Sequence, residues 1–121
     1  MKKILSKSFT FEAAHKLLNT LNKNNENIHG HSFSVEVFFE DIDNNIEKTG
    51  FILDLHTFNK KIMKIKVILD HSYLNNISGL ENPTLENIGM WIWGKLKKKN
   101  KHMCKLIIER KTCNESFQII K

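Results

Sequence analysis

The clearest alternation in the chain runs from His31 to Asp41. Phe33, Val35, Val37 and Phe39 share one parity, and Ser34, Glu36 and Glu40 share the other. Successive strand side chains point to opposite faces, so this period of two predicts a half-buried strand. Lys3–Glu12 reads the same way through Leu5, Phe9 and Phe11, although Lys7 breaks the pattern. Asn19–Asn27 is polar and asparagine-rich and predicts a loop, and Asp43–Lys48 predicts a polar connection. A short strand is expected over Phe51–Leu53. Asp54 then predicts a helix N-cap, because Leu55, Phe58, Ile62, Ile65 and Leu69 recur behind it at helical spacing. "NPTLEN" marks a second helix start, with Thr84 as cap and Leu85, Ile88, Ile92 and Leu96 as the apolar stripe. Met103–Arg110 and Ser116–Ile120 read as two closing strands. The order strand, strand, helix, helix, strand, strand predicts an α+β domain, a four-stranded antiparallel sheet with two helices on one face. Such a sheet has two long edges that invite pairing with another chain, so a homo-oligomer is expected.

Composition narrows the picture. The chain has 121 residues, one ordinary domain spanning 1–121, and 40% of them are hydrophobic, which suits a globular protein. No segment approaches the roughly 20 apolar residues of a membrane span. The start, "MKKILSKSFTF", is interrupted by Lys7 and Glu12 and is not expected to be a leader. Two cysteines, Cys104 and Cys113, do not make a disulfide framework, so a reducing, cytoplasmic setting is expected. The net charge of +6 has two readings, first a lysine-coated surface and second a field that attracts an anionic ligand such as a phosphate ester or nucleic acid. Arg110 is the only arginine, which argues against nucleic-acid recognition, where arginine forks are heavily used. The lysine run Lys95–Lys101 is expected to end a helix, where cations oppose the negative end of the dipole.

The candidate chemistry lies in "NENIHGHSF", residues Asn25–Phe33. His29 and His31 are two apart on a strand, so both rings can aim at one point. Gly30 between them permits close backbone approach. His15, in "FEAAHKL", is the third candidate, brought alongside by a neighbouring antiparallel strand. Three histidines with a fourth position open are a common catalytic zinc set, although copper, nickel and iron also bind imidazole. His56 and His102 are expected at the surface.

"FTFEAAHKL", "HGHSF", "GFILDL", "LDHSYLN", "NPTLEN" and "LIIER" occur in register over nearly the whole chain. In this the sequence resembles the 6-pyruvoyl-tetrahydropterin synthase family, which includes the 6-carboxy-tetrahydropterin synthases of queuosine biosynthesis. The resemblance implies a tunnelling fold (T-fold), in which sheets of several subunits join into a barrel. It implies a homohexamer built as a dimer of trimers, with active sites at subunit interfaces. It further implies zinc on His15, His29 and His31, with 7,8-dihydroneopterin triphosphate as substrate. Glu109 would anchor the pterin, Thr84 and Glu86 would help line its pocket, and Asp70 and His71 would form a proton-transfer pair.

One departure bears on the reaction. Family members typically carry a catalytic cysteine four residues before the first histidine of "HGH", where this chain has Asn25. An amide has no useful basicity. Glu26 stands next to it, and E-x-x-H-G-H resembles a subgroup in which glutamate replaces the cysteine. That subgroup cleaves the substrate side chain to 6-hydroxymethyl-7,8-dihydropterin, a folate precursor. The alternatives are the 6-carboxy-5,6,7,8-tetrahydropterin or 6-pyruvoyl-tetrahydropterin reaction and, from another class, a non-catalytic pterin-binding oligomer.

Overall fold

The computed structural model describes residues 1–18 and 26–121, so most of the expected Asn19–Asn27 loop, Asn25 included, lies outside the described residues. Strand β1 spans Ile4–His15 and β2 spans His29–Glu40. Helix α1 (Asn45–Thr49) and helix α2 (Leu55–Leu69) follow, then β3 (Ser72–Tyr73), helix α3 (Leu85–Lys97), β4 (Met103–Arg110) and β5 (Glu115–Ile120). The strands form one sheet in the order β3-β1-β2-β4-β5. All pairings are antiparallel except the two-residue β3, which runs parallel to β1.

The expected α+β architecture therefore holds in outline and needs three corrections. The sheet has five strands and is mixed, because β3 adds to the β1 edge. The connection after β2 contains a third helix, α1, whose first N–H groups are taken by the Asp41 carboxylate, from Asn45 at 2.7 Å and Ile46 at 3.2 Å. Phe51–Leu53 is not a strand: it follows a glycine turn at Gly50 (φ 85) and leaves Phe51 exposed while Ile52 enters the core.

The period-two pattern sets the two sheet faces apart. Phe9, Phe11, Phe33, Val35, Val37, Phe39, Leu106 and Ile108 are buried on one face beneath Phe58, Ile62, Ile65 and Leu69 of α2 and Ile88, Ile92 and Leu96 of α3. Each such large apolar side chain contributes about 1.5–3 kcal/mol relative to remaining exposed. Where β4 meets β2 the register shifts between Phe38 and Phe39, so both Met103 and Leu106 face the core. Helix α3 approaches β4 and β5 closely at Gly89, where a Cβ would stand 2.8 Å from the Phe117 ring. Both expected caps are present: Asp54 accepts the His56 N–H at 3.0 Å, and Thr84 accepts the Asn87 N–H at 3.1 Å. α3 ends at Lys97, inside the lysine run.

The other face is open and polar. It carries Ser6, Ser8, Thr10, Glu12, Ser32, Ser34, Glu36 and Glu109, and Ser32 donates to Glu12 at 2.6 Å. Among the described residues β5 has no strand on its outer side. No helix is long and apolar enough to cross a membrane among the described residues. His102, expected at the surface, is buried: its Nδ1–H donates to the Glu40 carbonyl at 3.0 Å and its Nε2 accepts from Asn45 at 3.3 Å. His56 is exposed as expected.

Candidate metal centre

Pairing of β1 with β2 places His15 directly opposite His29, and Ala13 opposite His31. The three histidines thus continue the buried face past Phe33 at one end of the sheet. Their rings lie 4.6–4.9 Å apart between centroids. One ligand atom from each falls within 4.8 Å of the others, the spread of a group able to hold one metal ion. The His15 and His29 Nε2 atoms are 3.0 Å apart.

The outer nitrogens fix how these rings are used. His15 Nδ1–H donates to the Pro83 carbonyl at 2.9 Å, and His29 Nδ1–H donates to the Asn27 carbonyl at 2.8 Å. Each ring then turns an Nε2 lone pair toward the other, an arrangement that calls for a cation between them. The Nε2 of His31 is buried and has no hydrogen-bond partner in the structure. Zinc-binding histidines characteristically donate the second ring N–H to a carbonyl or carboxylate. The donor set and its orphaned nitrogen therefore fit a divalent ion.

Electrostatics disfavour protonation of His15 and His31. Burial pulls His15 down to about 4; the Pro83 carbonyl works against this, and His29, His31 and Arg110 add to it. His31 is lowered by burial first and then by the Arg110 guanidinium. Arg110 lies on the same sheet face as His31, two strand positions beyond Ile108, and is paired with Glu115.

A stability prediction follows for metal-free protein. A buried His15 that protonates far less readily folded than unfolded contributes fully above pH 6.5, and that contribution is lost as pH falls toward 4. At about 1.4 kcal/mol per unit, urea unfolding at pH 4.5 should show about 2–3 kcal/mol less stability than at pH 7 from this residue. A His15→Asn variant should lack that component. Equal pH slopes for the two proteins would contradict it.

The other sequence-predicted residues are placed as follows. Glu26 is exposed, three residues ahead of His29, and is not one of the converging groups. Asp70 accepts the Glu12 N–H at 2.8 Å, and that bond, with His71 behind it, holds the Asp70 carboxyl below the usual carboxylate range. His71 contacts Asp70 at 3.1 Å, is exposed, and sits in the left-handed region at φ 56. Such backbone is costly for a non-glycine residue and often marks function. Asp70 and His71 stand at the β1 edge beside a cleft of about 590 Å³, lined by Glu12, Gly30, His31, Ser32, His71 and Tyr73. Glu109 alternates with the buried Ile108 and so belongs to the open face. Within one chain, then, Glu109 lies on the face opposite the imidazoles, and neither it nor His71 belongs to the converging group. Thr84 is occupied as a cap, and Glu86 is exposed in the first turn of α3.

Sequence reading missed the groups behind the imidazoles. The carbonyls of Pro83 and Asn27 carry no residue-type signature. Cys113, whose Sγ lies 3.7 Å from His31 Nδ1, is 82 residues away in the chain. "NPTLEN" reaches the centre through the Pro83 carbonyl rather than through Thr84.

An α+β domain with one helix-covered sheet face, an open polar face and a three-histidine centre at the strand ends is the class these features define. Residues 4–119 match the family model described as 6-pyruvoyl tetrahydropterin synthase. The chain belongs to that family. It is 38% identical over 97 residues to a 6-carboxy-5,6,7,8-tetrahydropterin synthase of Synechocystis sp., covering 78% of this chain and 74% of that protein. It is 38% identical over 73 residues to a dihydroneopterin monophosphate aldolase of Pyrococcus furiosus, covering 60% of this chain and 59% of that protein. The fold matches that of a Caenorhabditis elegans 6-pyruvoyl tetrahydropterin synthase with a TM-score of 0.81, at 22% identity over 100% of this chain and 96% of that one.

Proposed function

We propose that this chain is a zinc-dependent lyase that cleaves the side chain of 7,8-dihydroneopterin triphosphate to give 6-hydroxymethyl-7,8-dihydropterin, a folate precursor. The observation that carries this reading is the convergence of three imidazoles behind an E-x-x-H-G-H sequence that lacks the family cysteine. A zinc ion held by His15, His29 and His31 would supply Lewis acidity, making a substrate hydroxyl easier to deprotonate.

The chain's own residues do the rest. Glu26, as general base, takes the proton from the hydroxyl on the second side-chain carbon. The bond between the first and second carbons breaks, the second carbon becomes an aldehyde, and the electron pair moves into the conjugated N5=C6 bond of the pterin. His71, oriented by Asp70, returns a proton to the first carbon. Glu109 accepts the pterin ring N–H and exocyclic amine together, a bidentate, charge-assisted contact. Thr84 and Glu86 border the pocket. The phosphates leave with the aldehyde fragment.

Glu109 lies on the sheet face opposite the imidazoles, and His71 is not among the converging groups of its own chain, so this chemistry calls for a second copy. The reading is a homohexamer, a dimer of trimers, in which the open face and β1 edge of one subunit complete the metal centre of another. This accounts for the serine-lined face and for a β5 edge with no strand beside it among the described residues. Each of H29A and H71A should be inactive alone. Co-assembled in equal amounts they should recover about a quarter of wild-type turnover, because intact halves meet in about a quarter of sites. No recovery from mixed oligomers would mean that each chain builds its site alone.

A second reading is favoured by the Synechocystis relative: formation of 6-carboxy-5,6,7,8-tetrahydropterin. The Pyrococcus relative, named for an aldol cleavage, supports side-chain scission and makes the monophosphate a substrate worth offering beside the triphosphate. A pterin-binding oligomer without activity would bind either compound and release it unchanged.

A further inference from the structure

Two of the three imidazoles have backbone carbonyls behind them, and His31 does not. Its Nδ1 faces the Cys113 sulfur at 3.7 Å. The hairpin between β4 and β5 delivers that sulfur: a 3-10 turn covers Lys111–Cys113, and Asn114, at φ 56, turns the chain back into β5. The two tautomers of His31 are unequal here. With the proton on Nε2, a buried donor would have no acceptor, which is unfavourable. With the proton on Nδ1, the sulfur accepts it and the Nε2 lone pair is free for a cation.

We propose that Cys113 is the positioning residue of the third imidazole: its sulfur accepts the Nδ1–H of His31 and so aims the His31 Nε2 at the metal. The inference rests on the metal reading of the site. Cys113 is not itself a ligand, because it meets the ring nitrogen opposite the one that turns inward, and it does not belong to the converging group. For the same reason it does not stand in for the family's catalytic cysteine. Sulfur is a weak acceptor, so this is the softest of the three supports and the one most sensitive to the identity of its residue.

The test is zinc affinity, measured by competition with a chromogenic chelator, on the full chain and its C113A and C113S variants. Loss of an outer support typically weakens metal binding 10- to 100-fold, so C113A should bind zinc about tenfold or more weakly. C113S, which restores an acceptor, should fall between C113A and wild type. Nitrogen-15 histidine spectra should show a protected Nδ1–H on His31 in wild type and its loss in C113A. Equal affinity of C113A and wild type, or a C113S variant as weak as C113A, would overturn the role of Cys113 while leaving the metal centre standing. A wild-type chain that does not bind zinc would overturn both.

Discussion

Replacing His29 with alanine is expected to abolish turnover and to weaken zinc binding by roughly 10²- to 10³-fold. A zinc site worth about 10–16 kcal/mol, spread over four coordination positions, gives about 2.5–4 kcal/mol for each one. His29 is the informative choice because it is half-exposed at the start of β2, whereas His15 is fully buried. H29A removes a ligand and leaves the core of Phe11, Phe33, Val35 and Val37 untouched. Its melting temperature without metal should match that of the metal-free wild type. Its zinc content after dialysis should be near zero. A variant that keeps both zinc and activity would remove His29 from the centre.

Glu26→Gln should separate binding from chemistry. The amide keeps the size of the side chain and removes its basicity, so kcat should fall about 10²- to 10⁴-fold, the usual contribution of a positioned general base. Zinc content and substrate affinity should stay near wild type, because Glu26 is not among the converging ligands. A loss of zinc together with the loss of rate would instead make Glu26 part of the metal support. An unchanged rate would assign the proton to another group.

Much of this was legible in the sequence because the physics was local. The alternation from Phe33 to Phe39 fixed which face of β2 is buried, and His29 and His31 share that parity. Asp54 and Thr84 announced their helices because a side-chain acceptor must meet the first free N–H groups. Elements without such a signature were missed. Helix α1 is five residues long, packs only the half-buried Ile46 against the core, and is held by Asp41 from outside its own sequence. β3 is two residues that exist only because β1 has a free edge at Ala13 and Ala14. Phe51–Leu53 has strand composition, but Gly50 turns the chain and the run becomes a loop entering α2. His102 was expected outside because a lone histidine gives no sign of the Glu40 carbonyl and Asn45 amide that receive it. The division of the proposed site between the two sheet faces was equally hidden. Glu109 and His31 are both odd-numbered yet lie on opposite faces, because Glu109 pairs with Ser34, a register that shows only once β2 and β4 are known to be neighbours.

The most direct measurement is product identity. The zinc-loaded chain is incubated with 7,8-dihydroneopterin triphosphate, and the pterins are separated and identified by mass. The expected product is 6-hydroxymethyl-7,8-dihydropterin, formed in step with a phosphorylated aldehyde and absent after chelation. A 6-carboxy- or 6-pyruvoyl-tetrahydropterin product, or unchanged substrate bound to fully zinc-loaded protein, would contradict the proposed cleavage.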